Sequence, residues 1–365
     1  MSELDTLIST AEVVVCCGSG GVGKTTTAAA LGLQAARIGR RCVVVTIDPA
    51  KRLADALGVP GGLTNDPIQL TTHTESGDSP GELWALMLDT ATTFDGLVLA
   101  NAANPEQAQR ILTNSFYRNI AGSLGGTQEY MAAERLLALH RDKRFDLVIV
   151  DTPPTRNALD FLDAPRTLAR FLDHPVFKLM MMPTRRGLRV LSIAAQPLLR
   201  SIGKVIGSEV LADALAFFQA FDGMETGFRN RADEVIELLH GENTRFVLVA
   251  SPRVDTIEEA RFFADRLDDK DLVVGAIIVN RATPDFGEPA GRRPRRAAEA
   301  ALYDNQAQLH ALATSEHSQI APLVGDSGRQ PTWVPLLPGD VHDLAALDKI
   351  RELLFTSSTA VQASR

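Results

Sequence analysis

Short apolar runs recur along the chain, each closed by a polar or glycine-bearing turn. They include Val13 to Cys17, Cys42 to Ile47, Leu83 to Leu88, Leu147 to Val150, Phe246 to Ala250 and Leu272 to Val279. These runs are unbroken rather than alternating, which predicts strands covered on both faces, as in a parallel sheet between helical layers. Residues 27–33 and 256–267 and the segment ending at Leu354 read as helices between them. Residues 91–142 and 160–240 also read as mostly helical, with a break at 122–126 and Thr127 as a candidate N-cap. Leu211, Leu215, Phe218, Phe221 and Phe228 approximate one helical face. Residues 282–300, rich in Pro, Gly and Arg, read as a loop. The pattern predicts an α/β fold with a doubly wound, mainly parallel sheet. It is expected as one domain over 1–355, with helical insertions at about 91–142 and 160–240 forming a subdomain, and a disordered tail at 356–365.

The first apolar run leads into Gly18-Ser19-Gly20-Gly21-Val22-Gly23-Lys24-Thr25-Thr26, and a helical segment follows. Strand, G-x-x-x-x-G-K-T and helix in that order describe a phosphate-binding loop. Glycine lets backbone N–H groups turn inward around phosphate oxygens, and the helix N-terminus adds partial positive charge. Gly18, Gly20, Gly21, Val22, Gly23, Lys24, Thr25 and Thr26 are therefore candidate nucleotide-binding residues. Lys24 is placed to reach the β- and γ-phosphates, and the Thr25 hydroxyl to ligate Mg²⁺. Asp151 ends a later apolar strand, where a carboxylate downstream of such a loop can hold Mg²⁺ directly or through water. An Asp at a strand end is by itself weak, since turns favour it. Paired with the loop it becomes a candidate metal residue.

Composition narrows the class without naming an activity. The chain has 365 residues, 45% of them hydrophobic and 22% charged, as in ordinary globular proteins. A net charge of −8 argues against a general nucleic-acid or membrane-surface binder. The N-terminal residues lack a signal-peptide pattern and no apolar run reaches membrane-span length, so a cytoplasmic protein is expected. Cys16, Cys17 and Cys42 lie in apolar strand-like runs, without C-x-x-C spacing, and read as buried hydrophobes. Two stretches leave alternatives open. Met180-Met181-Met182 lines an adaptable groove or packs as helix core. Arg292-Arg293-Pro294-Arg295-Arg296 is a solvated run or meets an anionic partner.

Taken together, the motifs resemble the ArsA family, which includes the arsenite-pump ATPase and the ATPase that targets tail-anchored membrane proteins. The family lies within the wider class of MinD and the nitrogenase iron protein. The loop at 18–26 is similar to the family's G-K-G-G-V-G-K-T-T, and Asp48-Pro49-Ala50 to its switch I D-P-A. Asp151-Thr152-Pro153-Pro154-Thr155-Arg156-Asn157-Ala158-Leu159 resembles its switch II D-T-A-P-T-G-H-T-L. The resemblance runs from about residue 12 to residue 350. It implies ATP and Mg²⁺ as ligands and Asp48, beside Lys24, as a catalytic residue that orients the attacking water. It further implies an adenine seat at Asn280, with Pro335 and Leu337 in the loop packed against the base.

Departures from the family pattern shape the expected function. Ser19 stands where the family carries a lysine that reaches across a dimer. Arg156 and Asn157 replace Gly and His, and Lys51-Arg52 follows the D-P-A. No C-x-x-C lies between Asn280 and Trp333, where eukaryotic targeting members share a zinc. No cysteine cluster offers thiolates to arsenite. The expected function is an Mg²⁺-dependent ATPase working as a dimeric switch, with a hydrophobic or membrane-protein client. Either a lysine-bearing paralogue completes a heterodimer, or a homodimer uses Lys51, Arg52 or Arg156. The alternative is a low-activity regulatory or scaffold subunit of such a heterodimer.

Overall fold

The computed structural model describes residues 2–48, 50, 52–73, 81–120, 127–153, 160–173 and 208–355. Pro49, Lys51, residues 154–159, Met180 to Met182 and the tail at 356–365 lie outside these, as does the Thr127 side chain.

In chain order, α1 (Glu3–Thr10), β1 (Val13–Cys17), α2 (Lys24–Arg37), β2 (Arg41–Thr46), α3 (Arg52–Ala56), β3 (Ile68–His73) and β4 (Gly81–Met87) come first. Helices α4 (Thr90–Asn101), α5 (Pro105–Leu112), α6 (Ser115–Ile120) and α7 (Thr127–Arg141) lead to β5 (Leu147–Asp151). Helices α8 (Asp160–Asp173), α9 (Ser208–Ala220) and α10 (Glu225–Leu239) follow. The chain ends with β6 (Thr244–Ala250), α11 (Val254–Asp268), β7 (Val274–Ala282), α12 (Ala297–Ser327), β8 (Thr332–Pro335) and α13 (Leu344–Phe355).

Two compact units emerge. The first holds Met1–Met87, Leu139–Leu159 and His240–Arg365, and the second holds Leu88–Ala138 and Asp160–Leu239. In the first, eight strands form one sheet in the order β3-β4-β2-β5-β1-β6-β7-β8. Every pair is parallel except β3 with β4, as the unbroken apolar runs predict. Strand β1 is fully buried because it has a parallel neighbour on each edge and lies deep in the sheet. From β1 the chain builds β2, β4 and β3 on one side, with β5 later inserted between β1 and β2, and β6, β7 and β8 on the other, so the crevice beyond its carboxyl end is where a doubly wound sheet accepts a ligand.

Helix α2 leaves that crevice and lies against the sheet. Ala28, Ala29 and Ala30 are buried. At Gly32 a Cβ would sit 2.7 Å from Val44 Cγ2 and 2.9 Å from Leu83 Cδ1, so a side chain there would push helix from strand. Cys16, Cys17 and Cys42 are free and buried, as their apolar runs predict, and burial pushes the Cys17 thiol up to about 12.

Two elements depart from the expectation. Strand β3 is an antiparallel edge strand whose partner, β4, supplies order that Ile68-Gln69-Leu70-Thr71 does not signal locally. Helix α12 begins at Ala297, inside the segment read as a loop, and runs 31 residues. Its buried Ala300, Ala313, Ile320 and Leu323 are sparse, while Leu302 and Leu312 face solvent, so its period is weak.

The second unit is helical around an aromatic core. Phe221 and Phe228 have ring centroids 4.8 Å apart, and Phe94 lies 5.1 Å from Tyr117. The expected single face over 211–228 is interrupted by the turn between α9 and α10. Phe218, Phe221 and Phe228 are buried, whereas Leu211 and Leu215 are half-buried. A buried carboxylate is satisfied within this core: Glu134 accepts from Arg231 Nε at 2.6 Å and from the Tyr130 hydroxyl at 2.5 Å. Removing either partner would leave polar atoms stranded among apolar ones.

Candidate functional site

The carboxyl edge of the parallel strands gathers the chemistry through register alone. Cys16 and Thr46 both pair with Asp151, so the ends of β1, β5 and β2 stand level. On the other side Cys17 pairs with Leu248, and Asn280 with Val334, which precedes Pro335. Above these ends lies a cavity of about 490 Å³, lined by Gly21, Gly23, Lys24, Thr25, Thr26, Asp48, Asn280, Pro335 and Leu337 among others. Gly18, Gly20, Val22 and Asp151 are not in its wall.

The phosphate loop needs glycine where its backbone leaves the region open to other residues. Gly21 and Gly23 have φ of 76° and 94°, and Gly23 is the left-handed N-cap of α2. At Gly18 a Cβ would lie 2.1 Å from the Val249 carbonyl oxygen of β6. The loop is thus pressed onto the sheet, and Lys24, Thr25 and Thr26, the first residues of α2, line the cavity.

Lys24 opens α2 and is nearly buried. Its Nζ donates to the carbonyls of Gly18 and Ser19, each at 2.8 Å. Burial lowers its pKa, while Asp151 and Asp48 oppose that shift. The Ser19 hydroxyl is buried and has no hydrogen-bond partner among the described residues.

Beneath the cavity, Asp151 is fully buried. Its Oδ2 accepts from the hydroxyls of Thr25 at 2.8 Å and Thr46 at 3.0 Å, while Oδ1 has no partner among the described residues. Burial raises this carboxyl to about 6, against the two hydroxyls and Lys24, which favour the charged form. Thr25 spends its only proton on Asp151, leaving its lone pairs for a cation. An orphaned carboxylate oxygen, a hydroxyl with free lone pairs and a glycine cradle with a lysine fit a polyphosphate with its divalent cation.

Thr46 links the backbone of Asp48 to the Asp151 carboxylate. The Asp48 N–H donates to Thr46 Oγ1 at 3.3 Å, and that hydroxyl in turn donates to Asp151. Asp48 Oδ1 accepts from the Ala50 N–H at 3.0 Å, and Oδ2 pairs with Arg52 at 3.4 Å. Thr152 lines the cavity and anchors β5 to β1 by donating to the Cys16 carbonyl at 2.7 Å. Sequence reasoning left Thr46 and Thr152 out, although each adjoins a named motif. Arg281 and Leu336 also line the cavity, and the signal for both was adjacency to Asn280 and Pro335. Arg52, one of the cations named from sequence, is in the wall; Lys51 and Arg156 lie outside the described residues.

Comparison with known proteins gives the family. The profile of the ArsA family, described as anion-transporting ATPase, matches residues 11–306. The ATPase get3 of Schizosaccharomyces pombe is 25% identical over 340 residues, covering 92% of this chain and 89% of that protein. The ATPase ASNA1 homolog of Trypanosoma cruzi is 26% identical over 347 residues, covering 89% of each chain. Identity at that level leaves the sheet edge and its cavity to say which chemistry is kept, and a profile match over most of the length shows the kinship. The chain belongs to the ArsA family of anion-transporting ATPases and is an ATP-binding ATPase.

Proposed function

We propose that the chain is an Mg²⁺-dependent ATPase acting as a dimeric switch. The observation that carries this reading is the linked set Lys24, Thr25, Asp151, Thr46 and Asp48 at one strand edge. Mg²⁺ would be held by Thr25 Oγ1 and by Asp151, directly or through water, and would neutralise charge building on the phosphate oxygens. Lys24 would exchange its two loop carbonyls for β- and γ-phosphate oxygens. Backbone N–H groups of the loop would bind the same phosphates, and Asp48 would orient water for in-line attack. Asn280, Pro335 and Leu337 would seat adenine. Loss of the γ-phosphate would release the segments at 48–53 and 151–157, moving the helical insertions.

Ser19 decides how the site is completed. A cation supplied in trans is worth about 10³–10⁵ in rate in related chemistry. One reading is a heterodimer whose lysine-bearing paralogue provides it. The second is a homodimer that uses another cation, for which Arg52 is a candidate in cis, lining its own chain's cavity beside Asp48. ATP hydrolysis by the purified chain, with Mg²⁺ and with EDTA, then with a neighbouring paralogue, separates these. Turnover is expected only with Mg²⁺. Full turnover by the lone chain excludes an obligate paralogue, and turnover undiminished in EDTA excludes the metal role.

The client would be an apolar helix. Phe218, Phe221 and Phe228 are committed to the helical core, which leaves Met180 to Met182 as the groove candidate. Replacing all three methionines with Ser is expected to abolish nucleotide-dependent capture of an apolar helical peptide. Unchanged capture would remove the groove as its basis.

A further inference from the structure

Asn280 does more in this structure than face the cavity. Its Nδ2 donates to the Val22 carbonyl of the phosphate loop at 2.8 Å, 258 residues away in sequence. Its Oδ1 accepts from the N–H of Arg281 at 2.9 Å. A carbonyl can only accept and a backbone N–H can only donate, so one orientation of the carboxamide satisfies both. Asp has no proton for Val22, and Ser or Thr is too short to span the two groups. The residue type is thereby set by the loop as well as by any ligand.

The end of β7 is built to aim this side chain. The β7–β8 register slips between Asn280 and Ala282, with Arg281 as the extra residue. Arg281 has φ of 60°, a left-handed conformation uncommon outside glycine. The bulge turns the Arg281 N–H onto Asn280, as bulges re-aim side chains near sites. The exit from it is tied down on both sides. Leu336 N–H donates to the Ala282 carbonyl at 2.8 Å, and Glu316 of α12 accepts from Thr283 N–H at 2.8 Å and its hydroxyl at 2.7 Å. A strained residue held by such neighbours marks a built position.

The consequence falls on one peptide plane. The Val22–Gly23 peptide is trans and planar, so fixing the Val22 carbonyl on Asn280 turns the Gly23 N–H to the opposite side. Gly23 lines the cavity, and a Cβ on it would sit 2.2 Å from Asn280 Nδ2. We propose that Asn280 is a positioning residue for the phosphate loop, holding the Val22–Gly23 peptide so that the Gly23 N–H faces the phosphates. The base end and the phosphate end of the cavity are thus mechanically joined through one carboxamide. This rests on the reading of the cavity as a polyphosphate site and goes beyond the adenine contact expected of Asn280.

Inorganic tripolyphosphate with Mg²⁺, which has no base, tests the proposal by titration calorimetry against ATP. Asn280→Ala and the near-isosteric, uncharged Asn280→Leu are expected to weaken tripolyphosphate about tenfold, because the Val22–Gly23 peptide is no longer held toward the phosphates. The ligand-free protein loses the same hydrogen bond, so its melting temperature is expected to fall slightly, and the diagnostic readout is the selective loss of tripolyphosphate affinity in variants still folded at the titration temperature. Tripolyphosphate binding within twofold of wild type in both variants, with ATP weakened, overturns the proposal and leaves Asn280 a base contact only. Failure of the unaltered protein to bind tripolyphosphate removes the phosphate-site reading itself. A second measurement needs no substitution: in protein with ¹⁵N-labelled asparagine, one Asn280 carboxamide proton is expected to exchange slowly, free and with tripolyphosphate. Exchange at the rate of an exposed amide overturns the proposal even if the variants do not fold.

Discussion

Replacing Asp48 with Asn is expected to lower ATP turnover by about 10²–10⁴, the usual contribution of a positioned acid–base group. Nucleotide affinity is expected to stay within a few-fold. Asn is near-isosteric, so its carbonyl oxygen still accepts from Ala50 N–H, and the Asp48 N–H to Thr46 bond belongs to the backbone. What is lost is the charge and the pair with Arg52. That arginine is 56% exposed, so the pair itself contributes little to stability. A selective fall in kcat therefore reports the reaction rather than the fold. Rate and affinity measured separately, the latter with a non-hydrolysed nucleotide, check it; undiminished turnover rules out the role given to Asp48.

Asp151→Asn is expected to separate stability from function. In the metal-free protein the Asp151 carboxyl is fully buried and ionises near 6, against an ordinary 3.8. Burial raises its pKa, so folding favours the neutral acid. This contribution to stability is fully present below 3.8 and is lost as pH rises through about 6. The full loss is about 3 kcal/mol, from the difference between those two values. Asn does not titrate. The metal-free variant should therefore gain on the wild type by about 2.5 kcal/mol between pH 4 and pH 8, or roughly 3–5 °C in melting temperature. Only the change with pH is diagnostic, because the new amide N–H groups at the unpartnered Oδ1 position impose a constant cost. With Mg²⁺ and ATP the wild type should gain more than the variant. A ligand at a hundred times its Kd stabilises by about 2.7 kcal/mol, and the variant should lack the Mg²⁺-dependent part of that gain. Parallel pH profiles for the two metal-free proteins would refute the assignment of strain to this buried charge.

The cavity of the first unit explains why its candidate residues could be named while their connections could not. Gly18 to Thr26 were legible because a phosphate loop is local: strand, glycines, Lys-Thr and helix are contiguous, and each residue type has a backbone reason. Asp151 was legible because an apolar run ends in a carboxylate. Thr46 was not, because nothing in Arg41 to Thr46 says that its hydroxyl will face a strand 105 residues later. The same holds for Asn280, whose local sequence does not reveal that it closes onto Val22. Strand β3 and helix α12 were missed for a related reason: their order comes from partners elsewhere in the chain, and their own periodicity is weak.

By itself the sequence determined the mainly parallel sheet, the phosphate loop and the carboxylates at strand ends, because backbone propensity, burial on two faces and turn chemistry act over a few residues. The tertiary structure alone decided which strand ends stand level, that Thr46 links Asp48 to Asp151, and that a strained bulge at Arg281 aims Asn280 at the loop. Those are matters of register and of hydrogen bonds between residues distant in the chain, where a slip of one position would turn each side chain to the other face.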